Sequence, residues 1–300
     1  MKIDKTKKIV LAAAFILISI SSYADTITVD GIERSYILHV PESVMKPSPL
    51  VFALHGGSGT AKGMNTLTRF NKVSDKYGFI LCYPQGVDKQ WNDGRKVTQT
   101  YVNGVEVNDV KFISSLIDSL ESKYKIDSTR VYACGISNGG MMSFRLGCEL
   151  NNRIAAIAPV AISMSDYLYN SCSPGKPVPL MYIFGDDDPL VPYEGGSIRF
   201  DRGNVVSVQN TLGFWVKNNN CTEDPVTSEI DDWDDNTSVI KFTYSGSTSR
   251  NEVVFYLVRG GGHTWPGGKQ YLPKLLVGRT SREFNASEEI WKWFEGKRLE

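Results

Sequence analysis

Short apolar runs of strand length recur along the chain and are separated by segments with helical spacing. The predicted buried strands are Pro49 to Leu54, Phe79 to Tyr83, Arg130 to Cys134, Ile154 to Val160, Pro179 to Phe184 and Val253 to Val258. Helices are predicted up to about Tyr77, from Val110 to Leu120, Asn138 to Leu150, Gly203 to Asn218 and Ser287 to Glu295. This alternation predicts an α/β fold with one doubly wound, mostly parallel sheet flanked by helices.

The remaining segments predict hairpins and loops. Thr26 to Val29 and Arg34 to Val40 flank a turn and are expected to pair antiparallel, and Ser238 to Tyr244 is β-rich. The polar stretch Gln85 to Val105 has no periodicity and is predicted to be a long loop. Because no linker rich in proline, glycine or serine divides residues 25–300, we expect them to form one domain.

Residues 1–24 have the pattern of a secretory signal peptide. Lysines precede an apolar run from Ile9 to Ile20, and Ser22-Tyr23-Ala24 supplies a small-x-small cleavage site. The apolar run is shorter than a transmembrane helix requires. Cleavage after Ala24 therefore predicts a secreted protein, periplasmic or extracellular, that is not held in the membrane.

Composition and charge exclude some classes of partner. Hydrophobic residues make up 41% of the 300 residues, which is enough for a substantial core. The 33 basic and 33 acidic side chains cancel. Neither nucleic acid nor an anionic membrane surface is therefore indicated as a partner.

The chain has five cysteines, and an oxidising compartment makes a disulfide plausible. Cys82 and Cys134 lie inside predicted strands and are expected to be buried thiols. Cys148 and Cys172 flank a strand and a loop, which makes them the candidate pair. The odd count leaves at least one cysteine outside any bond within the chain.

The segment Gly135-Ile136-Ser137-Asn138-Gly139-Gly140 follows a predicted strand and opens a predicted helix. A serine on so tight a turn occupies strained backbone, and flanking glycines remove the side chains that would obstruct it. The turn exposes the Ser137 hydroxyl, and the N-terminus of the helix favours negative charge beside it. G-x-S-x-G is common by itself, but between a strand and a helix it predicts a nucleophile.

A serine nucleophile needs a base, and the chain has only three histidines. In the arrangement that goes with this turn, the base follows the serine in sequence, and only His263 does so. It lies on a glycine-rich loop just after the strand Val253 to Val258, from which it can reach the serine. His39 is expected to be structural, and His55 is expected to orient the glycine loop that it opens.

The acid that orients the base is expected between the serine and the histidine. Asp186-Asp187-Asp188-Pro189 directly follows the strand that ends at Phe184. Proline biases the residue before it toward extended backbone, so we favour Asp188, with Asp187 as the alternative.

An oxyanion hole needs two backbone donors aimed at the developing charge. Asn138 N–H, directly after the nucleophile, is the first candidate. The second is Gly57 or Ser58 in the loop after the strand Pro49 to Leu54, where glycine lets the backbone approach a substrate closely.

Five blocks carry a family resemblance: Leu54-His-Gly-Gly, Trp91-Asn-Asp-Gly-Arg95, Gly135-Ile-Ser-Asn-Gly-Gly-Met-Met142, Asp188-Pro-Leu-Val-Pro-Tyr193 and Gly262-His-Thr-Trp-Pro-Gly267. From about Val40 to Pro266 the chain resembles the secreted polyhydroxybutyrate depolymerase-like esterases, which are close to the feruloyl and acetylxylan esterases. The resemblance implies a single-domain α/β-hydrolase with Ser137, Asp188 and His263 as its triad.

The resemblance also implies substrate-binding residues. Trp91, Asn92 and Trp265 are expected to line an ester-binding cleft together with His55, and core packing is the alternative for Trp91. Members of the family usually have a cysteine partner for Cys221. Serine occupies that place here, so Cys221 is expected to be free.

These observations predict a secreted serine esterase that needs no cofactor and no metal. Its substrates are expected to be 3-hydroxybutyrate oligomers or feruloyl and acetyl esters of polysaccharide, selected by the loops Gln85 to Val105 and Gly195 to Gly203. A peptidase or thioesterase on the same scaffold is one alternative. A catalytically silent protein that binds a ligand through its cleft is another.

Overall fold

The computed structural model describes residues 24–300, so the predicted signal peptide, except Ala24, lies outside the described residues. The strands are β1 (Asp25–Val29), β2 (Ile32–His39), β3 (Ser48–Leu54), β4 (Ile80–Pro84), β5 (Tyr101–Val102), β6 (Val105–Glu106), β7 (Ile126–Ile136), β8 (Ala156–Val160), β9 (Leu180–Gly185), β10 (Gly196–Ser197), β11 (Asn204–Val205), β12 (Val226–Ile230), β13 (Ser238–Tyr244) and β14 (Val253–Arg259). The helices are α1 (Ala61–Thr68), α2 (Phe70–Tyr77), α3 (Asp109–Lys123), α4 (Asn138–Glu149), α5 (Asp166–Ser171), α6 (Val208–Asn218), α7 (Lys274–Val277) and α8 (Ala286–Phe294).

A ten-stranded sheet with the order β1-β2-β4-β3-β7-β8-β9-β14-β13-β12 runs through the molecule. The strands from β4 to β14 in that order are parallel to one another. The strands at both edges, β1 and β2 on one side and β13 and β12 on the other, pair antiparallel. The prediction of a mostly parallel sheet flanked by helices is confirmed.

The buried central parts of the parallel strands are largely apolar because both faces of the sheet are covered. In β3, Leu50, Phe52 and Leu54 pack into the core on one face. Val51 and Ala53 alternate with them and pack into the core on the other face. Since side chains alternate between the faces of a strand, a strand buried on both sides must be apolar at every position.

Helix α3 shows why the periodic segments became helices. Its apolar residues recur every three or four positions and are buried against the sheet, and they include Phe112, Ile113, Leu116, Ile117 and Leu120. The Asn108 side chain caps the first turn by accepting from Lys111 N–H at 2.9 Å.

The structure differs from the sequence-based prediction in several elements. The helix predicted from Gly203 begins only at Val208, because Gly203 has a positive φ of 89° and Ser207 caps the helix. Seven short elements were not predicted: α5, α7, the edge strand β12 and the two-residue strands β5, β6, β10 and β11. These elements are too short to show a hydrophobic periodicity, so no pattern along the chain indicated them.

The cysteines divide into one disulfide and three free thiols among the described residues. Cys148, at the end of α4, is bonded to Cys172, which follows α5. Cys82 and Cys134 are fully buried in the sheet, as expected, and Cys221 is free. Between residues 24 and 300, no helix is long and apolar enough to cross a membrane.

We expect replacement of both bonded cysteines, Cys148→Ser with Cys172→Ser, to lower the free energy of unfolding by about 3 kcal/mol. The bond closes a loop with a sequence separation of 24 and so restricts the unfolded chain. Denaturant unfolding measures the change. Cys221→Ser, which removes a free thiol, is the control, and an equal loss in the control would contradict the prediction.

Candidate active site

Ser137 sits on the turn between β7 and α4 in a conformation that non-glycine residues rarely adopt. Its φ is 56° and its ψ is −122°. The turn is held by neighbouring backbone, since Ser137 N–H donates to Val160 O of β8 at 2.9 Å and its carbonyl accepts from Met141 N–H at 2.8 Å. Side chains on both sides of Ser137 are buried, whereas Ser137 itself remains partly accessible. The fold therefore holds Ser137 in a strained backbone conformation that leaves this residue partly accessible.

The glycines of this turn are required because backbone passes close to them. A β-carbon on Gly135 would lie 2.5 Å from Gly139 C, and one on Gly139 would lie 2.3 Å from Leu54 O. These distances are far below van der Waals contact. The turn can therefore form only where both positions lack a side chain.

The side chain of Asn138 ties the turn to the loop that follows β4. Its Oδ1 accepts from Trp91 N–H at 2.8 Å, and its Nδ2 donates to Trp91 O at 3.1 Å and to Asp93 Oδ2 at 2.6 Å. Asn138 is 3% exposed, so these bonds form out of contact with water. Three bonds from one amide fix the first residue of α4 in place.

His263 and Asp188 form a buried pair. His263 Nδ1 lies 2.7 Å from Asp188 Oδ2, with side chains 5% and 1% exposed. The other carboxylate oxygen accepts from Leu190 N–H at 2.8 Å and from Val191 N–H at 3.0 Å. The carboxylate is thus held toward the imidazole, an arrangement that places a proton on Nδ1 and leaves Nε2 free to accept one.

The neighbouring aspartates have other contacts. Asp187 is 67% exposed and lies 3.8 Å from Arg279, and Asp186 accepts from Gly260 N–H at 2.7 Å. Of the three adjacent carboxylates, only Asp188 contacts His263.

The predicted oxyanion donors differ in whether their N–H groups already have a hydrogen-bond partner. Asn138 is the first residue of α4, and its N–H precedes the first intrahelical bond. Ser58 N–H is already engaged, since it donates to Lys89 O at 2.8 Å. Gly57 N–H has no hydrogen-bond partner within residues 24–300. The geometry therefore favours Gly57 over Ser58 as the second donor.

The His55 side chain holds the glycine loop that follows β3 in place. Its Nδ1 bonds Gly56 O at 2.8 Å, and its Nε2 accepts from Gly86 N–H at 3.0 Å and from the Gln85 side chain at 3.1 Å. Burial lowers its pKa from 6.5 to about 4, and the bond to Gly56 opposes that shift. His55 is neutral at neutral pH and accepts with one nitrogen, as expected for a residue that orients the loop.

A cavity of about 700 Å³ connects these parts. Ser137, His263 and Gly57 all line it. Apolar side chains form much of the remaining wall, among them Met64, Leu67, Leu190, Ile198, Leu276 and Val277. The site is a partly apolar pocket whose lining includes the strained Ser137 and the imidazole of the buried His263–Asp188 pair.

The prediction that tryptophans line this cavity was wrong. Trp91 and Trp265 are both fully buried. Trp91 Nε1 donates to His55 O at 2.8 Å, and Trp265 Nε1 donates to Ser287 Oγ at 3.1 Å. For Trp91 the burial bears out the alternative of core packing. Trp265 was expected to be exposed on its glycine-rich loop, but that loop folds inward and the ring packs in the core.

Asn92 is also placed away from the cavity. Its N–H donates to Asp109 Oδ2 at 2.6 Å and its side chain donates to Val107 O at 3.0 Å. Asn92 is 5% exposed. It anchors the loop instead of contacting a ligand.

Two residues of the same block were not singled out from sequence. Asp93 contacts Arg95 through both carboxylate oxygens, at 3.1 and 2.6 Å, as well as Asn138. Both are buried. The signal was the spacing, because an acid and an arginine two residues apart on a glycine-containing turn can pair with each other.

The chain is similar to known esterases. Residues 34–164 match the family described as Esterase PHB depolymerase. The chain is 30% identical over 283 residues to the putative esterase NocK of Nocardia uniformis subsp. tsuyamanensis, covering 88% of this chain and 80% of that protein. It is 28% identical over 233 residues to feruloyl esterase B of Piromyces equi, covering 75% of this chain and 41% of that protein.

Solved structures share the fold at low sequence identity. A thermostable esterase superposes with a TM-score of 0.58 at 17% identity, covering 92% of this chain and 63% of that one. An acetyl xylan esterase from Aspergillus awamori gives 0.57 at 16% identity, covering 87% and 94%. The fold is that of the α/β-hydrolases.

Among residues 24–300, no group of three or more histidine, cysteine, aspartate or glutamate side chains is arranged to hold a metal ion.

We expect Gly139→Ala to lower the free energy of unfolding by about 3 kcal/mol, because the new methyl group meets Leu54 O and the turn must open. Gly213→Ala, in helix α6, is the matched control. A β-carbon there meets nothing within 4 Å, so the better helix former should stabilise the protein by about 0.5–1 kcal/mol. Chemical denaturation of both variants measures this, and equal effects would contradict the steric argument.

The buried His55 should make stability fall as the pH is lowered. Its folded pKa is about 4 and its ordinary value is 6.5, so between these values the unfolded chain takes up the proton first. The free energy of unfolding should therefore drop by about 2 kcal/mol more between pH 7 and pH 5 in the wild type than in His55→Gln. Denaturant unfolding at both pH values measures this, and parallel profiles would refute it.

Proposed function

We propose that this chain, which belongs to the PHB depolymerase family of esterases in the α/β-hydrolase superfamily, hydrolyses carboxylic esters through Ser137, His263 and Asp188. The observation that carries the proposal is the buried contact of 2.7 Å between His263 Nδ1 and Asp188 Oδ2, next to the cavity that Ser137 lines. A base oriented in this way and a strained serine in one pocket are the parts that acyl transfer requires.

In the first half-reaction, His263 Nε2 takes the proton of the Ser137 hydroxyl as Oγ attacks the ester carbonyl. Asp188 stabilises the imidazolium that forms. The negative charge moves to the carbonyl oxygen, where Asn138 N–H and Gly57 N–H donate to it beside the N-terminus of α4. The alcohol then leaves with the proton from His263, and Ser137 carries the acyl group.

In the second half-reaction, water replaces the alcohol. His263 takes a proton from the water as its oxygen attacks the acyl carbonyl, and the same two N–H groups hold the charge. The bond to Ser137 Oγ breaks, the serine regains its proton, and the free acid leaves. The strained turn keeps Oγ in one place through both halves, which limits the reorganisation needed at each step.

The substrates we propose are esters of small or oligomeric acids. Relatives named feruloyl esterase and acetylxylan esterase support feruloyl and acetyl esters of polysaccharide, and the matched family supports 3-hydroxybutyrate oligomers. The N-terminal pattern of residues 1–24 and the Cys148–Cys172 disulfide support a secreted enzyme, with residues 25–300 as its catalytic domain.

Ester hydrolysis by purified variants tests the triad. Ser137→Ala should lower kcat by roughly 10⁶-fold, and Asp188→Asn by roughly 10⁴-fold because the imidazole loses its orientation. The panel is para-nitrophenyl acetate and butyrate, methyl ferulate and soluble 3-hydroxybutyrate oligomers. The preferred ester identifies the substrate class.

The control is Asp187→Asn, which changes the adjacent carboxylate but not the one at His263. Its side chain is exposed, and its ion pair with Arg279 at 3.8 Å is long, so kcat should stay within about twofold of the wild type. If Asp187→Asn lost as much activity as Asp188→Asn, the assigned acid would be wrong. If the wild type and Ser137→Ala were equally inert, the proposed activity itself would be wrong.

A further inference from the structure

The charged side chains around the catalytic cavity are mostly cationic. Arg95, Arg199 and Arg202 line it, and Asp201 is the one acidic side chain among its described lining residues. In a pocket whose other walls are largely apolar, this excess of positive charge favours negatively charged substrates, provided that one of the three arginines is available to a ligand.

Arg95 is already neutralised. Asp93 accepts from it with both carboxylate oxygens, and Arg95 Nη1 donates to Arg202 O at 2.5 Å. The Arg199 guanidinium lies over the Phe200 ring, 5.1 Å from its centroid. Each of these groups has a structural contact within the protein.

The Arg202 guanidinium is different. In the described part of the chain it has no hydrogen bond and no ion pair, and Asp201 makes none with it. It is nevertheless placed near the reacting groups, because a β-carbon on Gly57 would lie 3.4 Å from Arg202 Nη1. Gly57 is the residue whose free N–H we assign to the oxyanion hole. Arg202 is exposed, and its unpaired guanidinium borders Gly57 at the cavity, where the Gln90 side chain comes equally close.

The backbone of Arg202 is held although its side chain is free. Arg202 belongs to the connection between β10 and β11, where Ile198 N–H donates to Gly203 O at 2.8 Å. The bond from Arg95 fixes the carbonyl of Arg202, and Arg95 is itself fixed by Asp93, which bonds Asn138. A continuous set of polar contacts, buried at Asn138 and Asp93 and partly buried at Arg202, thus links the turn at Ser137 to the loop that carries the guanidinium.

We propose that Arg202 binds a carboxylate of the substrate, so that the preferred esters carry a negative charge a few bonds from the reacting carbonyl. This inference rests on the proposed esterase function. A guanidinium binds a carboxylate through two parallel N–H donors and through opposite charge. A neutral amide in place of the carboxylate cannot make the same charged, two-bond contact. Esters of 3-hydroxy acids that end in a free carboxylate have this chemistry, and so do monoesters of short dicarboxylic acids.

The two sources of the carboxylate differ in which side of the ester bond bears the charge. In 3-acetoxybutyrate it lies on the alcohol, and water converts the ester to acetate and 3-hydroxybutyrate. In monomethyl succinate it lies on the acid, and water converts the ester to succinate and methanol. Each has a neutral analogue of nearly the same shape, 3-acetoxybutanamide and methyl succinamate.

The test compares kcat/KM for each acid with that for its amide. We expect wild-type enzyme to prefer the acid about tenfold in at least one of the two pairs, and Arg202→Gln to reduce that ratio to about one. The pair that shows the preference identifies the side on which the carboxylate lies. Arg202→Lys should retain part of the ratio because the charge remains without the planar fork. Raising the ionic strength should reduce the ratio in the wild type.

Lys62→Gln is the matched control, since it removes one exposed positive charge from α1, beside the cavity but outside its lining. It should keep the wild-type ratio. A wild-type ratio near one for both pairs, a ratio that survives in Arg202→Gln, or an equal loss in Lys62→Gln would overturn the proposal.

The two neutral analogues separate a failure of the esterase proposal from a failure of the carboxylate proposal. Ser137 should hydrolyse their ester bonds although they carry no carboxylate. If none of the four esters is hydrolysed, calorimetry of 3-acetoxybutyrate and monomethyl succinate binding to Ser137→Ala tests Arg202 directly. Tighter binding than that of the amides, lost when Arg202→Gln is added, supports the carboxylate site. Equal binding of acids and amides refutes it.

Discussion

The left-handed backbone at Ser137 is the constraint on which the rest of the site depends. A serine at φ 56° is unfavourable, and it persists only because the surrounding structure leaves no other path for the chain. The glycines at 135 and 139 admit backbone at distances that no side chain allows. Strand β7 and helix α4 then fix the direction in which the hydroxyl points, and the other functional groups are placed relative to it.

Buried polar contacts extend this constraint outward. Asn138 is bonded to both the N–H and the carbonyl of Trp91 and to Asp93, so the loop after β4 cannot shift without disturbing the nucleophile turn. Asp93 in turn holds Arg95, which holds the carbonyl of Arg202. The fully satisfied network acts as a rigid support, and its cost of burial is offset because each polar group has a partner.

Asp188 and His263, the proposed acid and base, come from the opposite half of the sheet. Asp188 follows β9 and His263 follows β14, and these strands are parallel neighbours, so their carboxyl ends meet. The two backbone N–H donors to the second oxygen of Asp188 hold the carboxylate toward His263. The loops at the carboxyl ends of the parallel strands therefore carry Ser137, Asp188 and His263, while the strands set their relative positions.

The parallel sheet, the turn at Ser137 and the candidate base could be predicted from the sequence. Each of these features has a pattern along the chain. Continuous apolar runs indicate strands buried on both faces, and glycines at fixed spacing mark the turn at Ser137. His263 is the single histidine that follows this serine. The contacts that distinguish Asp188 from Asp187 and Gly57 from Ser58 depend on the folded structure, because they involve neighbouring groups that a side chain or N–H already contacts. The folded structure also placed Trp91 and Trp265 in the core and left Arg202 unpaired at the cavity. Burial and pairing arise from segments distant in sequence, so no local pattern could have shown them.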